Sequence, residues 1–237
     1  MAGVLVLIVA FVFIGLNSDK HGGATVATAN VAQQVTSVPT STFDTVGRGA
    51  VQSPATTLKS TALTASGKPK VLFVGAEWCP YCAAQRWVLA VALSRFGTFS
   101  GLGEVYSAAD DGDIASLTFH GSTYTSDYLV FDANEVQDRN HNTLDKLSVA
   151  DQAVYQTYAT GFPFIDIAGQ YQVGAMYNPE LLSGMSQAQI AAALKDPGSQ
   201  VAQAIVGSAN SLTATLCKVT GGKPASVCTS AGVTSAG

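Results

Sequence analysis

The sequence predicts an α/β fold in which a central sheet is flanked by helices, and three stretches carry this prediction. Residues 71–74 (VLFV) are continuously apolar, as expected of a strand buried on both faces. Residues 83–96 contain no Gly or Pro, and their apolar positions wrap most of a helix. Residues 164–167 supply a second apolar strand. The first strand and its helix therefore form the predicted centre of the domain.

The segment EWCPYC, residues 77–82, lies where this strand passes into the helix. The first N–H groups of a helix lack intrahelical partners, and the helix dipole places partial positive charge there. A thiolate at Cys79 is stabilised by both, and in such settings thiol pKa values fall from about 8.5 to roughly 3.5–7.5. Pro80 suits the first helical turn. The spacing predicts that Cys79 attacks a substrate and that Cys82 resolves the mixed disulfide.

This motif resembles the active-site region of the thioredoxin superfamily, with the Pro80-Tyr81 pair that glutaredoxins carry between their cysteines. Residues 73–96 resemble an uncharacterised, membrane-anchored thioredoxin-like family known as a domain of unknown function. The resemblance implies a thioredoxin-like three-layer fold, with a central mixed sheet and an N-terminal hydrophobic anchor helix before it. It also implies a thiol–disulfide oxidoreductase in which Trp78, Pro80 and Tyr81 support the cysteines.

Thioredoxin-like folds place a cis-proline at the start of a strand, facing the reactive cysteine. Pro163 precedes the apolar strand 164–167, so the resemblance implies this role for it. Phe162 would then offer its backbone N–H and C=O to an extended substrate segment. From the residues alone, an ordinary trans-proline at a strand edge stays open.

The chain departs from the thioredoxin pattern in one respect, because Phe73 stands where thioredoxins keep a buried acidic residue. Water or Asp166 would then accept the proton of the resolving thiol. The strand position of Asp166 favours a side chain that points to the solvated end of the strand. Glu77 is expected to be a solvated surface charge.

Cys217 and Cys228 form a second local pair. Joined, they would close a loop of about a dozen residues, worth about 3 kcal/mol in the chain-entropy model. A structural disulfide is the main prediction, and a second redox pair that passes electrons to Cys82 is the alternative. Four cysteines in two pairs are typical of an oxidising compartment.

Other chemistries find less support in the sequence. Zinc would need a further close Cys or His pair, and the three histidines are scattered. We therefore predict no metal site and no cofactor, with a two-cysteine Cu(I) site or a permanent Cys79–Cys82 bond as alternatives. The net charge is −4 with no basic cluster, which argues against nucleic acid as a partner.

The N-terminal region predicts attachment to a membrane. Residues 4–16 are uninterrupted apolar sequence, so residues 1–16 are assigned to a membrane anchor or signal segment. Residues 17–53 are predicted to be a flexible linker, and residues 54–237 the thioredoxin-like domain. This predicts a single-pass protein with its domain outside the cytoplasm, or a secreted one if the segment is cleaved. Its partners would be protein thiols or disulfides and a membrane redox protein.

Overall fold

The structure is a computed structural model that describes residues 21–237. The anchor or signal segment predicted for residues 1–16 lies outside these residues. Within the described part of the chain, no helix has both the length and the apolar character needed to cross a membrane.

Most strands of the described chain lie between residues 56 and 173, and helices dominate its last 50 residues. The strands are β1 (Thr25–Val26), β2 (Thr56–Thr57), β3 (Thr64–Ala65), β4 (Lys68–Gly75), β5 (Gly97–Ser100), β6 (Gly103–Tyr106), β7 (Ala115–Thr118), β8 (Thr123–Ser126), β9 (Val130–Glu135), β10 (Phe164–Ile167) and β11 (Tyr171–Val173). The helices are α1 (Ala29–Thr36), α2 (Thr40–Val46), α3 (Pro80–Leu93), α4 (Val149–Tyr158), α5 (Gln187–Ala193), α6 (Gln200–Val219), α7 (Ala225–Cys228) and α8 (Ala231–Ala236). A 3₁₀ helix spans Pro179–Leu182.

The central sheet is built around β4. This strand pairs in parallel with β9 and antiparallel with β10, and β11 and β2 continue the sheet beyond β10. A short hairpin joins β3 to the start of β4. Separate small sheets contain β1, β6 and β7, and β5 with β8. The predicted mixed α/β fold with a central mixed sheet is therefore confirmed.

Helices cover both faces of this sheet. Successive side chains of a strand point to opposite faces. Val71 and Phe73 accordingly join the main core with the apolar residues of α3 and α6. Leu72 and Val74 pack with Phe164 against residues of α4. The strand 71–74 is thus buried on both sides, as its continuous apolar sequence predicts.

The prediction of a flexible linker over residues 17–53 is wrong for the segment that forms β1, α1 and α2. Strand β1 pairs with β6, and the side chains of Val31 and Phe43 are buried in the main core. Val35 and Val46 follow them at helical spacings of four and three residues, so each helix has an apolar face. The many Ala, Thr and Ser residues between them hide this periodicity. The packed domain therefore begins well before residue 54.

Candidate active site

Cys79 is the N-cap residue of α3. Its backbone is extended, and its Sγ accepts the backbone N–H of Cys82 at 3.3 Å. The Cys79 carbonyl begins the helical ladder by accepting the N–H of Ala83 at 3.0 Å. Pro80 follows in the first helical position, where its missing N–H leaves no bond unmade. The sulfur of Cys79 therefore lies at the positive end of the helix.

The two thiols have opposite environments. Hydrogen bonding from the Cys82 side chain is the main cause that lowers the pKa of Cys79 to about 7. Burial raises the pKa of Cys82 well above its usual range, and its interaction with Cys79 raises it further. Cys79 is 4% exposed and Cys82 is fully buried, and both are free thiols. In this arrangement Cys79 is the more acidic thiol of the pair, and Cys82 is the thiol that keeps its proton to higher pH.

Aromatic and polar side chains surround the pair. Trp78 stacks on His141 with ring centroids 4.8 Å apart, and its Nε1 donates to Gln137 Oε1 at 3.0 Å. Trp78 and Phe162 pack against the two cysteines. Tyr155 of α4 stacks on Phe162 at 5.8 Å. The wall beside the cysteines is therefore apolar and fixed by ring contacts.

The Phe162–Pro163 peptide bond is cis, as the resemblance implies. Strand β10, which starts at the next residue, pairs directly with β4, with Phe164 opposite Val74. This register brings the start of β10 to the end of β4 that leads into the cysteine motif. Tyr81, in contrast, is 53% exposed and faces solvent beside the pair.

A buried charge cluster lies behind the cysteines. Arg86 is fully buried, and its Nε and Nη2 bind the two carboxylate oxygens of Glu135 at 2.7 Å each. Glu77 is 1% exposed, and its Oε1 accepts the hydroxyl proton of Thr118 at 2.6 Å. Burial raises the pKa of Glu77 above its usual value, although Thr118 and the Arg86 charge oppose this. The expectation that Glu77 is a solvated surface charge is wrong, because the loop turns its side chain inward onto β7.

Asp166 also differs from its prediction. Its side chain is fully buried, and Oδ1 accepts the N–H of Gly169 at 2.6 Å in the turn between β10 and β11. Burial raises the pKa of Asp166. This hydrogen bond lies at the end of β10 opposite to Pro163, since the turn follows the strand. Asp166 therefore stabilises the turn, and the prediction that it points to solvent is wrong.

Cys217 and Cys228 form a disulfide, with an S–S distance of 1.98 Å and Cα atoms 5.6 Å apart. It joins the last turns of α6 to the short helix α7. Residues 21–237 contain no group of three or more His, Cys, Asp or Glu side chains arranged to hold a metal ion.

Sequence reasoning did not find Arg86, Glu135 or Tyr155. One signal for Arg86 was present: a charged residue in a helix predicted to be buried on several sides needs a buried partner. The identity of that partner could not be read from the sequence, because Glu135 is 49 positions away. Tyr155 looked like any apolar position of α4.

The fold and the site define a mixed α/β protein with a cysteine pair at the start of its central helix. The chain belongs to the family described as Domain of unknown function (DUF929), which matches residues 55–161 and 146–218. No curated protein and no solved structure matches the chain.

Proposed function

We propose that this protein is a thiol–disulfide oxidoreductase with a thioredoxin-like fold, in which Cys79 exchanges with cysteines of other proteins and Cys82 resolves the mixed disulfide. The observation that carries the proposal is the N-cap position of Cys79, whose sulfur accepts a helix N–H at 3.3 Å. A structural cysteine needs no such position, whereas a nucleophilic thiolate is stabilised by it.

The surrounding fold supports the same function. Helices on both faces of a mixed sheet agree with the three-layer thioredoxin-like arrangement. The cis peptide bond before Pro163 lies beside the cysteine motif, and Phe162 packs against both cysteines. The backbone of Phe162 is therefore available to align an extended substrate strand next to Cys79.

The proposed location is the outer side of a membrane. The apolar residues 4–16 support an anchor or signal segment, and the Cys217–Cys228 disulfide supports an oxidising compartment. The substrates would then be thiols or disulfides of exported proteins, with a membrane redox protein as electron partner.

A redox titration of the full chain tests the proposed function. The purified protein is equilibrated in thiol–disulfide buffers of defined potential, quenched with acid and labelled with a maleimide, and each cysteine is followed by mass spectrometry. We expect Cys79 and Cys82 to interconvert reversibly between dithiol and disulfide with a midpoint above about −300 mV.

The second cysteine pair is an internal control in the same experiment. Cys217 and Cys228 should stay oxidised across the range in which Cys79 and Cys82 cycle, as expected of a structural disulfide. A Cys79–Cys82 pair that resists reduction throughout, or that never forms a disulfide, would contradict the proposed function.

A further inference from the structure

The side chain of Arg86 lies directly behind the cysteine pair. It follows Cys82 by four residues on α3, so the two share one face of the helix. Its Nη2 donates to the carbonyl oxygen of Ala76 at 2.6 Å, and its Nη1 lies 3.4 Å from Ser116 Oγ. Together with the two bonds to Glu135, these contacts fix the guanidinium in one orientation.

The contact with Ala76 ties Arg86 to the nucleophile. The same carbonyl oxygen accepts the backbone N–H of Cys79 at 3.2 Å. Ala76 also shares an apolar cluster with Cys79 and Cys82. One carbonyl therefore connects the guanidinium to the N-cap residue of α3. A substitution of Arg86 would remove one of the two hydrogen bonds that hold this carbonyl beside Cys79.

A guanidinium is always charged, and a buried charge acts more strongly than an exposed one. The charge of Arg86 lowers the pKa of Cys79 and opposes the burial that raises the pKa of Cys82. Glu135 binds the guanidinium and makes its burial possible, since an unpaired buried charge would be strongly unfavourable.

We infer that Arg86 is the positioning residue of the cysteine pair, which holds the Ala76 carbonyl and stabilises the thiolate forms of Cys79 and Cys82. This inference rests on the proposed function. The buried cation of Arg86 would then set the acidity of the two thiols. In this chain Phe73 stands at the position where thioredoxins keep a buried acidic residue.

The role of Arg86 is clearest when the pair oxidises a substrate dithiol. A substrate thiolate bonds to Cys79 Sγ, the Cys79–Cys82 bond breaks, and Cys82 leaves as a thiolate. The second substrate thiolate then attacks the substrate sulfur of the mixed disulfide, and Cys79 leaves as a thiolate. The substrate loses two electrons and the pair gains them. The protons of the substrate thiols pass to solvent, and Cys82 takes one proton back from solvent because its pKa is raised. Arg86 stabilises the leaving thiolate in both steps, which favours the oxidising direction.

The test compares variants that remove the buried charge with one that keeps it. R86M/E135L and R86Q/E135Q replace the ion pair by neutral pairs, and such replacements are often tolerated. R86K retains the positive charge. R95M is the matched control, because Arg95 is a partly buried arginine just after α3 that stacks on Phe43 and bonds to Asn210, away from the cysteines. Far-UV circular dichroism selects the variants that fold.

The readout is the pH dependence of iodoacetamide alkylation at Cys79 in the reduced full chain. In the neutral pairs we expect the midpoint to rise by roughly one pH unit, the lower end of the effect of a close opposite charge. R86K and R95M should both keep the wild-type midpoint of Cys79 alkylation. In glutathione buffers at pH 8, the neutral pairs should shift the equilibrium several-fold toward the disulfide form of Cys79 and Cys82.

A folded neutral pair with an unchanged midpoint would overturn the inference. If neither neutral pair folds, R86Q alone decides, because it removes the positive charge that lowers the pKa of Cys79 and should raise the midpoint. An unchanged or lowered midpoint in R86Q would then overturn the inference. Alkylation does not require redox cycling, so a wild-type pair that fails to cycle would refute the proposed function and not the role of Arg86.

Discussion

The two cysteine pairs of this chain lie at opposite ends of helices. Cys79 caps the N-terminus of α3, where the helix dipole is positive. Cys217 lies in the last turn of α6, where the dipole is negative, and is joined to Cys228. A thiolate is stabilised at the first position and destabilised at the second. We propose that position on a helix, more than the presence of two nearby cysteines, separates the reactive pair from the structural one.

The surroundings of the pairs differ in the same sense. Behind Cys79 and Cys82 lies the fully buried cation of Arg86, whereas the Cys217–Cys228 disulfide closes an exposed turn that contains Gly221. Cys82 is sealed from solvent, and Cys217 is 9% exposed. The first pair has one acidic thiol and one protected thiol, whereas the second pair is joined in a disulfide and has no thiol to titrate.

The largest expected effect comes from C79S, which should abolish exchange with a disulfide substrate because the acidic thiol is lost. C82S should instead attack once and then retain the substrate as a mixed disulfide at Cys79. Non-reducing mass spectrometry of each variant after incubation with a model disulfide measures both outcomes. A C79S variant that still exchanges through Cys217 or Cys228 would contradict the assignment of Cys217 and Cys228 as a purely structural pair.

Removal of the second pair should have the converse effect. The double variant C217A/C228A should keep its exchange activity and lose about 3 kcal/mol of unfolding free energy, because the unfolded chain is no longer cross-linked. Denaturant unfolding of the oxidised full chain measures the stability, and exchange with a model disulfide measures the activity. Lost activity in a folded C217A/C228A protein would indicate that the second pair relays electrons.

The pH profile of alkylation separates the two thiols of the first pair. Because the pKa of Cys79 is lowered to about 7, its rate should rise tenfold per pH unit below that value and level off above it. Cys82 should stay unreactive at neutral pH, since its pKa is raised. Iodoacetamide alkylation followed by peptide mapping measures each thiol separately, with C79S as the control for Cys82. Equal profiles for the two cysteines would contradict the assigned roles.

The smallest expected effect concerns the buried Glu77. Burial raises its pKa in the folded state, so the folded protein binds this proton more tightly than the unfolded chain does. Its contribution to stability therefore falls as pH rises above the usual value of 4.5. In E77Q this loss should vanish, so the variant should gain stability relative to wild type between pH 4.5 and 7 in urea unfolding. Parallel stability curves would show that Glu77 does not titrate in this window.

The sequence predicted what depends on neighbours along the chain. The buried strand 71–74 and the helix after it followed from continuous apolar residues, and the capping position of Cys79 followed from its place before Pro80. Helices α1 and α2 were missed, because Ala and Thr dilute the apolar spacing that defines their buried faces. Short helices of this kind depend on tertiary packing more than on local propensity.

The sequence by itself determined the strand, the helix and the cysteine pair between them, because apolar periodicity and helix-end chemistry act over a few residues. Tertiary structure decided which charges lie behind that pair. The side chain of Glu77 points inward and accepts a hydrogen bond from Thr118, and Arg86 pairs with the carboxylate of Glu135 on β9. Burial and ion pairing depend on residues that are distant in the chain and meet only when β4, β7 and β9 surround the start of α3.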